Sequence, residues 1–336
     1  MQQRKLGPFT VSAIGLGCMN LSHAYGEPAP RDAAVRLLNE ALDLGYSHLD
    51  TAALYGFGEN EKLLAEAVMH RRSEFTLASK CGLFKGADGK RALDGRPETI
   101  KRVCEDSLRR LNTDVIDLYY LHRLDRNVPI EDSVGAMAEL VAAGKIRSIG
   151  LSEVSAKTLC RAHAVHPISA VQTEYSLWTR NAEIAVLDAC RELGVSFVAF
   201  SPLARGYLTG KLTDPDALSQ GDLRRGMPRF APENYPANLK LLDGFGKIAA
   251  EVGCSMAQLA LAWCLAKQDH ILPIPGTGKS DHLRENIGAD KVTLTPETVR
   301  RLDELINQDS VQGPRYSAGA QADIDTEEFG EIHDDK

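Results

Sequence analysis

The sequence predicts an α/β fold, a (β/α)8 TIM barrel, on three observations. Short apolar runs alternate with helical periodicity along most of the 336 residues. The runs are apolar throughout rather than at every second position, as expected of parallel strands buried on both faces. There are eight such runs, each followed by a helical stretch, in about the length a barrel of this class requires.

The elements follow in order. Polar–apolar alternation over Arg4–Ser12, broken by Gly7-Pro8, reads as an N-terminal β-hairpin. Ala13–Cys18 then precedes a helix over Asp32–Leu44, Tyr46–Leu49 precedes Asn60–His70, and Phe75–Ser79 precedes Pro97–Leu111. Val115–Leu121 leads to Ile130–Ala143, Ile146–Gly150 to Ser155–Ala164, and Ala170–Thr173 to Ala182–Leu193. Val195–Phe200 is followed by a long loop, Ser201–Asn238, and by helical stretches up to Lys267. Ile271–Ile274 precedes Ser280–Ile287 and Pro296–Ile306. Asp32 and Asn60 suit helix N-caps, Pro97 suits a first turn, and Gly45, Gly144 and Gly194 follow helix ends. A doubly wound open sheet is the structural alternative. It asks for Gly-x-Gly-x-x-Gly after the first strand, whereas Gly15-Leu16-Gly17-Cys18-Met19 lacks the third glycine and an immediate helix.

The whole chain, 1–336, reads as one barrel domain, with 317–336 as a polar, mobile tail. A net charge of −7 argues against a nucleic-acid backbone as the main partner. Seven scattered cysteines without a Cys-x-x-Cys pair resemble neither a disulfide framework nor a structural zinc site. The N-terminus lacks an apolar signal segment, and no run reaches the roughly 18 apolar residues of a membrane span. The expectation is a reduced, cytoplasmic protein without a membrane partner; the sequence does not specify an oligomeric state.

Chemistry concentrates where barrel active sites lie, at the carboxyl ends of the strands. The second run ends at Asp50, the third at Lys80 and the fourth at His122, while Tyr55 stands in a glycine-containing turn after Asp50. Three successive strands thus deliver an ionisable residue to one rim. A free tyrosine titrates near about 10. An adjacent ammonium is expected to lower that value, so Lys80, held charged by Asp50, would make Tyr55 a proton donor to a carbonyl oxygen that His122 orients. The set contains no activated serine or cysteine nucleophile. Lys80 between Asp50 and His122 opposes a metal ion, so none is expected.

Asp50, Tyr55, Lys80 and His122 resemble the catalytic tetrad of the aldo-keto reductase superfamily. Leu49-Asp50-Thr51-Ala52 with Tyr55-Gly56 is similar to its second-strand signature, and Leu108–His122, with Asp114, Ile116 and Leu118, is also similar to the family pattern. Val128-Pro129-Ile130-Glu131 and Ala164-Val165-His166-Pro167 resemble the bacterial and plant auxin-induced-like, perakine-reductase-like subfamily. The likeness spans about Gly7 to Tyr316.

The resemblance implies reduction of a small aldehyde or ketone by NADPH, with NADH less favoured. It places Gly17, Cys18 and Met19 among the cofactor-binding residues, and Ser152 and Gln172, with Glu153 beside the first, at the nicotinamide carboxamide. Phe200 would stack on it, where the family commonly has tyrosine. Ser201, Pro202, Leu203, Arg205 and Gly206 would line the pyrophosphate. After the eighth strand, Gly276, Thr277, Gly278 and Lys279 open a helix whose N-terminus is an anion site for the 2′-phosphate, with Glu285 and Asn286 at the adenine. His282 stands near a position where many members carry arginine. The carbonyl pocket would comprise Met19, Leu54, Tyr55, Leu83, Phe84 and Trp178. The Ser201–Asn238 loop would fold over the cofactor, with Lys211, Arg224, Arg225 and Arg229 as further cations. The alternative is an NADP(H)-binding regulatory or redox-sensing subunit with little turnover, as in the more distant channel β-subunit branch; a hydrolase reading lacks a second acid at the rim.

Overall fold

The computed structural model describes residues 1–330. β1 (Gln3–Leu6) and β2 (Phe9–Ser12) form the antiparallel N-terminal hairpin. Its turn needs Gly7, at φ +55°, where a Cβ would lie 2.6 Å from the Ser169 Cβ. Leu6 and Val11 plug one end of the barrel, packing on the inward-facing Ala78, Leu118, Tyr120, Ala170, Val198 and Leu272.

The barrel strands are β3 (Leu16–Gly17), β4 (His48–Asp50) and β5 (Thr76–Cys81). A short antiparallel hairpin, β6 (Leu83–Lys85) and β7 (Arg91–Leu93), stands outside the barrel at the end of β5. The barrel continues with β8 (Ile116–Leu121), β9 (Ile146–Ser152), β10 (Ile168–Glu174), β11 (Ser196–Phe200) and β12 (Ile271–Pro273). All neighbours in this set are parallel. A parallel bridge between Gly17 and Gly276 closes the circle, with Gly15 N donating to Pro273 O at 3.0 Å.

The helices are α1 (Arg31–Asp43), α2 (Glu59–Val68), α3 (Pro97–Leu111), α4 (Ile130–Ala142), α5 (Ala156–Val165) and α6 (Val186–Leu193). They continue as α7 (Tyr235–Val252), α8 (Met256–Lys267), α9 (Ser280–Gly288), α10 (Pro296–Leu305) and the short α11 (Ala318–Gln321). The (β/α)8 expectation holds. No single helix among the described residues is long and apolar enough to cross a membrane.

Several local expectations are corrected. Asp32 and Asn60 are not N-caps: the cap positions of α1 and α2 are Pro30 and Gly58. Asn60 instead lies buried inside the first turn. Its amide donates to Cys18 O at 2.8 Å and to Ser22 Oγ at 2.7 Å, while its oxygen accepts from Thr51 Oγ1 at 2.6 Å. It therefore ties the loop after β3 to the end of β4. Lys80 lies within β5 rather than after it, in register with Tyr120 of β8.

The chain from 317 to 330 is not a loose tail. Asp325 Oδ2 accepts from Ser155 Oγ at 3.0 Å and Thr158 Oγ1 at 2.7 Å, and Glu327 Oε1 accepts from Ala156 N at 2.7 Å. Carboxylates at the α5 N-terminus satisfy amides that the helix leaves unpaired and complement its dipole. Residues 331–336 of the expected mobile segment lie outside the described residues.

Candidate active site

Alternation along the strands places Asp50 and Lys80 inside the barrel, buried from bulk solvent. Lys80 is fully buried and Asp50 is 1% exposed. The Lys80 ammonium forms a short ion pair with Asp50 Oδ1 and donates to Thr51 O at 2.9 Å and Tyr55 Oη at 3.2 Å. All three of its protons thus have partners. Gln172 Nε2 holds the other Asp50 oxygen at 2.7 Å. Tyr55 is carried to this point by a turn in which Gly56 and Gly58 adopt φ +57° and +94°. The His122 ring meets the Tyr55 ring edge-on, with centroids 5.8 Å apart. The four residues come together as expected, with Lys80 acting from behind Tyr55 rather than from the cavity wall.

The electrostatics differ from the simple expectation for Tyr55. Burial pushes its phenol above the ordinary value, and Lys80 opposes the rise without cancelling it. The phenol is therefore firmly protonated at neutral pH, ready to donate. Burial also pushes Lys80 down, but Asp50 and then Tyr55 outweigh it, and the ammonium ends above its ordinary value. His122 is driven well below the usual imidazole range, first by burial and then by Arg123, Lys80 and Arg91. It is a neutral ring, with Nδ1 enclosed and unpartnered and Nε2 left as the nitrogen open to the cavity.

These groups face a cavity of about 1020 Å³ that runs from Tyr55 and His122 to the N-terminus of α9. All the expected cofactor-binding residues line it except Cys18 and Glu153. Cys18 turns into the core, its Sγ 3.6 Å from Leu16 O, and burial raises its pKa far above the thiol range. Of the expected pocket residues, Met19, Leu54, Tyr55 and Leu83 line the cavity, whereas Phe84 and Trp178 do not. Phe84 lies under the Arg102 guanidinium, 5.0 Å from its ring centroid. Trp178 is 2% exposed and stacks on Tyr207 with centroids 4.2 Å apart. Arg229 packs over that indole and donates to Trp178 O and Thr179 Oγ1, so it is structural and not a phosphate ligand.

Glu153 belongs to a buried charge network beneath the cavity floor. Its Oε1 accepts from Arg315 Nη2 at 2.5 Å and from Glu174 N at 2.9 Å. Glu174 Oε2 accepts from Arg315 Nε at 3.1 Å and Arg205 Nη2 at 2.8 Å, and that Arg205 nitrogen also donates to Tyr316 Oη at 3.0 Å. Burial pushes the Glu174 carboxyl up, but Arg205, Arg315 and Arg229 overcome it and hold it at about 2. Arg205 lines the cavity, and its Nη2 is shared between Glu174 and Tyr316.

The loop after β11 does fold over the cavity. Leu223 N donates to Ala24 O at 2.9 Å, and Arg224 lies 5.1 Å over the Tyr25 ring, joining this loop to the one after β3. At the far end, Asn286 is buried and Lys211 reaches Glu285 at 3.8 Å. Among the described residues Lys279 has no carboxylate partner, and His282 is kept below the usual imidazole range by burial and then by Lys211 and Lys279.

Sequence reasoning missed Asn20, His23, Arg91, Arg123 and the 316–324 segment, all of which line the cavity. Arg91 rides on the β6–β7 hairpin. Its turn, Asp88-Gly89 with Gly89 at φ +78°, carries a readable hairpin signal.

Fold and site together define a barrel enzyme framework built around a buried lysine–tyrosine pair. The sequence profile of the aldo/keto reductase family matches residues 13–307, and the chain belongs to that family. It is 45% identical over 327 residues, 96% of each chain, to the aldo-keto reductase yakc [NADP(+)] of Schizosaccharomyces pombe. Among solved structures it resembles a glycerol dehydrogenase from Gluconobacter oxydans, with TM-score 0.83, 30% identity and coverage of 90% of this chain and 94% of that one. It also resembles an aldo/keto reductase from Klebsiella pneumoniae solved with NADP and acetate, with TM-score 0.72, 28% identity and coverage of 94% and 98%.

Proposed function

We propose that this protein is an NADPH-dependent carbonyl reductase that converts aldehydes and ketones to alcohols, an oxidoreductase acting on CH–OH groups. The observation that carries the reading is the Tyr55 phenol on the wall of the cavity, hydrogen-bonded from behind by a buried Lys80 that is paired with Asp50.

The cavity fits a dinucleotide. Gly276 lets the cavity wall close against β3, since a Cβ there would lie 2.8 Å from Asn20 Oδ1 and 2.9 Å from Gly17 O. The α9 N-terminus has no side-chain cap, so its amides are available to an anion, and Lys279 supplies a positive charge beside them. Ser152 and Gln172 would hold the nicotinamide end, Phe200 would stack on it, the 201–206 turn would follow the pyrophosphate, and Glu285 and Asn286 would meet the adenine. When bound, the reduced dinucleotide supplies a hydride to the carbonyl carbon.

The chain's own residues do the rest. Tyr55 Oη and His122 Nε2 donate to the carbonyl oxygen, and Tyr55 passes its proton as negative charge builds there. Lys80 stabilises the resulting phenolate, and Asp50, fixed by Gln172, keeps Lys80 charged. Met19, Leu54 and Leu83 give the carbonyl compound an apolar wall that excludes water.

Fluorescence titration with NADPH and NADH, followed by steady-state turnover of a carbonyl panel that includes 4-nitrobenzaldehyde, tests the reading. It predicts tighter NADPH binding and substrate-dependent NADPH oxidation. Tight NADPH binding without turnover of any carbonyl would favour a cofactor-binding module instead.

A further inference from the structure

Arg123 follows His122 on the cavity wall and is half-buried. Its Nη1 is spent on the protein, donating to His122 O at 2.6 Å and Ser152 Oγ at 3.2 Å. These bonds fix the plane of the guanidinium. Its Nε and Nη2 have no hydrogen-bond partner among the described residues and are not enclosed. No carboxylate pairs with it there, although Arg91, on the same wall, is paired with Asp323, and Arg126 lies 3.7 Å from Asp325. The charge is felt at the reacting groups, since Arg123 opposes protonation of His122 and favours ionisation of Tyr55.

A fixed guanidinium edge with two free donors has the geometry of a carboxylate site. Covering it with a neutral substrate would strip its water without replacement, which disfavours that substrate. A carboxylate would satisfy both donors and the charge.

We propose that Arg123 is the anion anchor of the carbonyl pocket, and that the preferred substrates are aldehydes or ketones bearing an ionised carboxylate. The inference rests on the carbonyl-reductase reading and names its substrate class. The carboxylate undergoes no bond change. Hydride from NADPH adds to the carbonyl carbon, the Tyr55 proton goes to the oxygen, and the product is a hydroxy acid with NADP+.

The test compares carboxybenzaldehydes with their methyl esters, and with 4-nitrobenzaldehyde, at saturating NADPH in wild type, Arg123→Gln and Arg123→Lys. A charged hydrogen-bond pair predicts that wild type favours acid over ester by about 10- to 100-fold in kcat/KM, mainly through KM. Arg123→Gln should bring that ratio to about one, and Arg123→Lys should restore part of it while lacking the paired donors. Thermal unfolding confirms that both variants fold.

An acid/ester ratio near one in wild type, or a ratio that survives Arg123→Gln, would overturn the proposal. So would a raised KM for NADPH with the acid preference intact, which would assign Arg123 to the cofactor. If 4-nitrobenzaldehyde and the ester are reduced without acid preference, only the anchor fails. If wild type reduces none of them, the carbonyl-reductase reading fails and takes the anchor with it.

Discussion

Replacing Asp50 with asparagine removes the charge that keeps Lys80 protonated while preserving the side-chain shape. Lys80 would remain fully buried, with Thr51 O and Tyr55 Oη as its remaining partners. In wild type its pKa is raised, so its contribution to stability is complete below the unfolded value, about 10.4, and is lost only as pH climbs through the higher folded value. In Asp50→Asn the burial penalty is opposed only weakly and the folded pKa falls below the unfolded one. The variant then gains stability as pH rises from that lowered value towards about 10.4.

Each pH unit is worth about 1.4 kcal/mol, so releasing the Lys80 proton costs about 4.6 kcal/mol at pH 7 and about 0.5 kcal/mol at pH 10. Those figures bound the charge-stranding cost, because an ammonium that costs more sheds its proton. An unfolding entropy of about 2.1 cal/mol/K per residue makes 1 kcal/mol worth roughly 1.5 °C in a chain of 336 residues. Thermal unfolding followed by circular dichroism should therefore show Asp50→Asn below wild type by up to roughly 7 °C at pH 7 and by about 1 °C at pH 10. A Tm gap that stays constant or widens with pH would refute the reasoning, since the ion pair would then not set the Lys80 charge.

Two further outcomes follow. With the His122 imidazole neutral and the Tyr55 phenol raised, kcat/KM for carbonyl reduction should be flat from about pH 6 to 9 and fall only as Tyr55 loses its proton in the alkaline range. A titration near 6.5 that vanishes in His122→Gln would contradict this. Lys279→Met should raise the KM for NADPH about tenfold, the cost of about 1.4 kcal/mol of charge attraction, and leave that for NADH nearly unchanged. Equal effects on both cofactors in initial-rate kinetics would remove Lys279 from phosphate recognition.

The barrel was legible because strands buried on both faces leave unbroken apolar runs, and the tetrad because ionisable residues interrupt three such runs at matching places. The errors have physical causes. The 317–330 segment is polar enough to read as a tail, yet its acids, Asp325 and Glu327, find the amides of Ser155 and Ala156 at the α5 N-terminus, a pairing more than 150 residues apart along the chain. Local sequence carries no sign of such a partner. Asn60 suits a helix start by type, but three hydrogen bonds, two of them to the distant loop after β3, hold it inside the first turn. The family resemblance puts Trp178 in the pocket and Arg229 in the loop over the cofactor; the structure pairs them with each other, and Trp178 with Tyr207, instead. Arg123 escaped notice because an arginine beside a strand end reads as solvated, and only its missing carboxylate partner sets it apart.

The central claim, that Tyr55 is the proton donor for carbonyl reduction, is tested most directly by single-turnover oxidation of bound NADPH with 4-nitrobenzaldehyde in wild type and Tyr55→Phe. Removing the phenolic hydroxyl leaves the ring and its packing in place, so cofactor affinity should be nearly unchanged. The chemical step should slow by about 10²- to 10⁴-fold, the usual contribution of a positioned general acid. A rate in Tyr55→Phe within a few-fold of wild type would contradict the account.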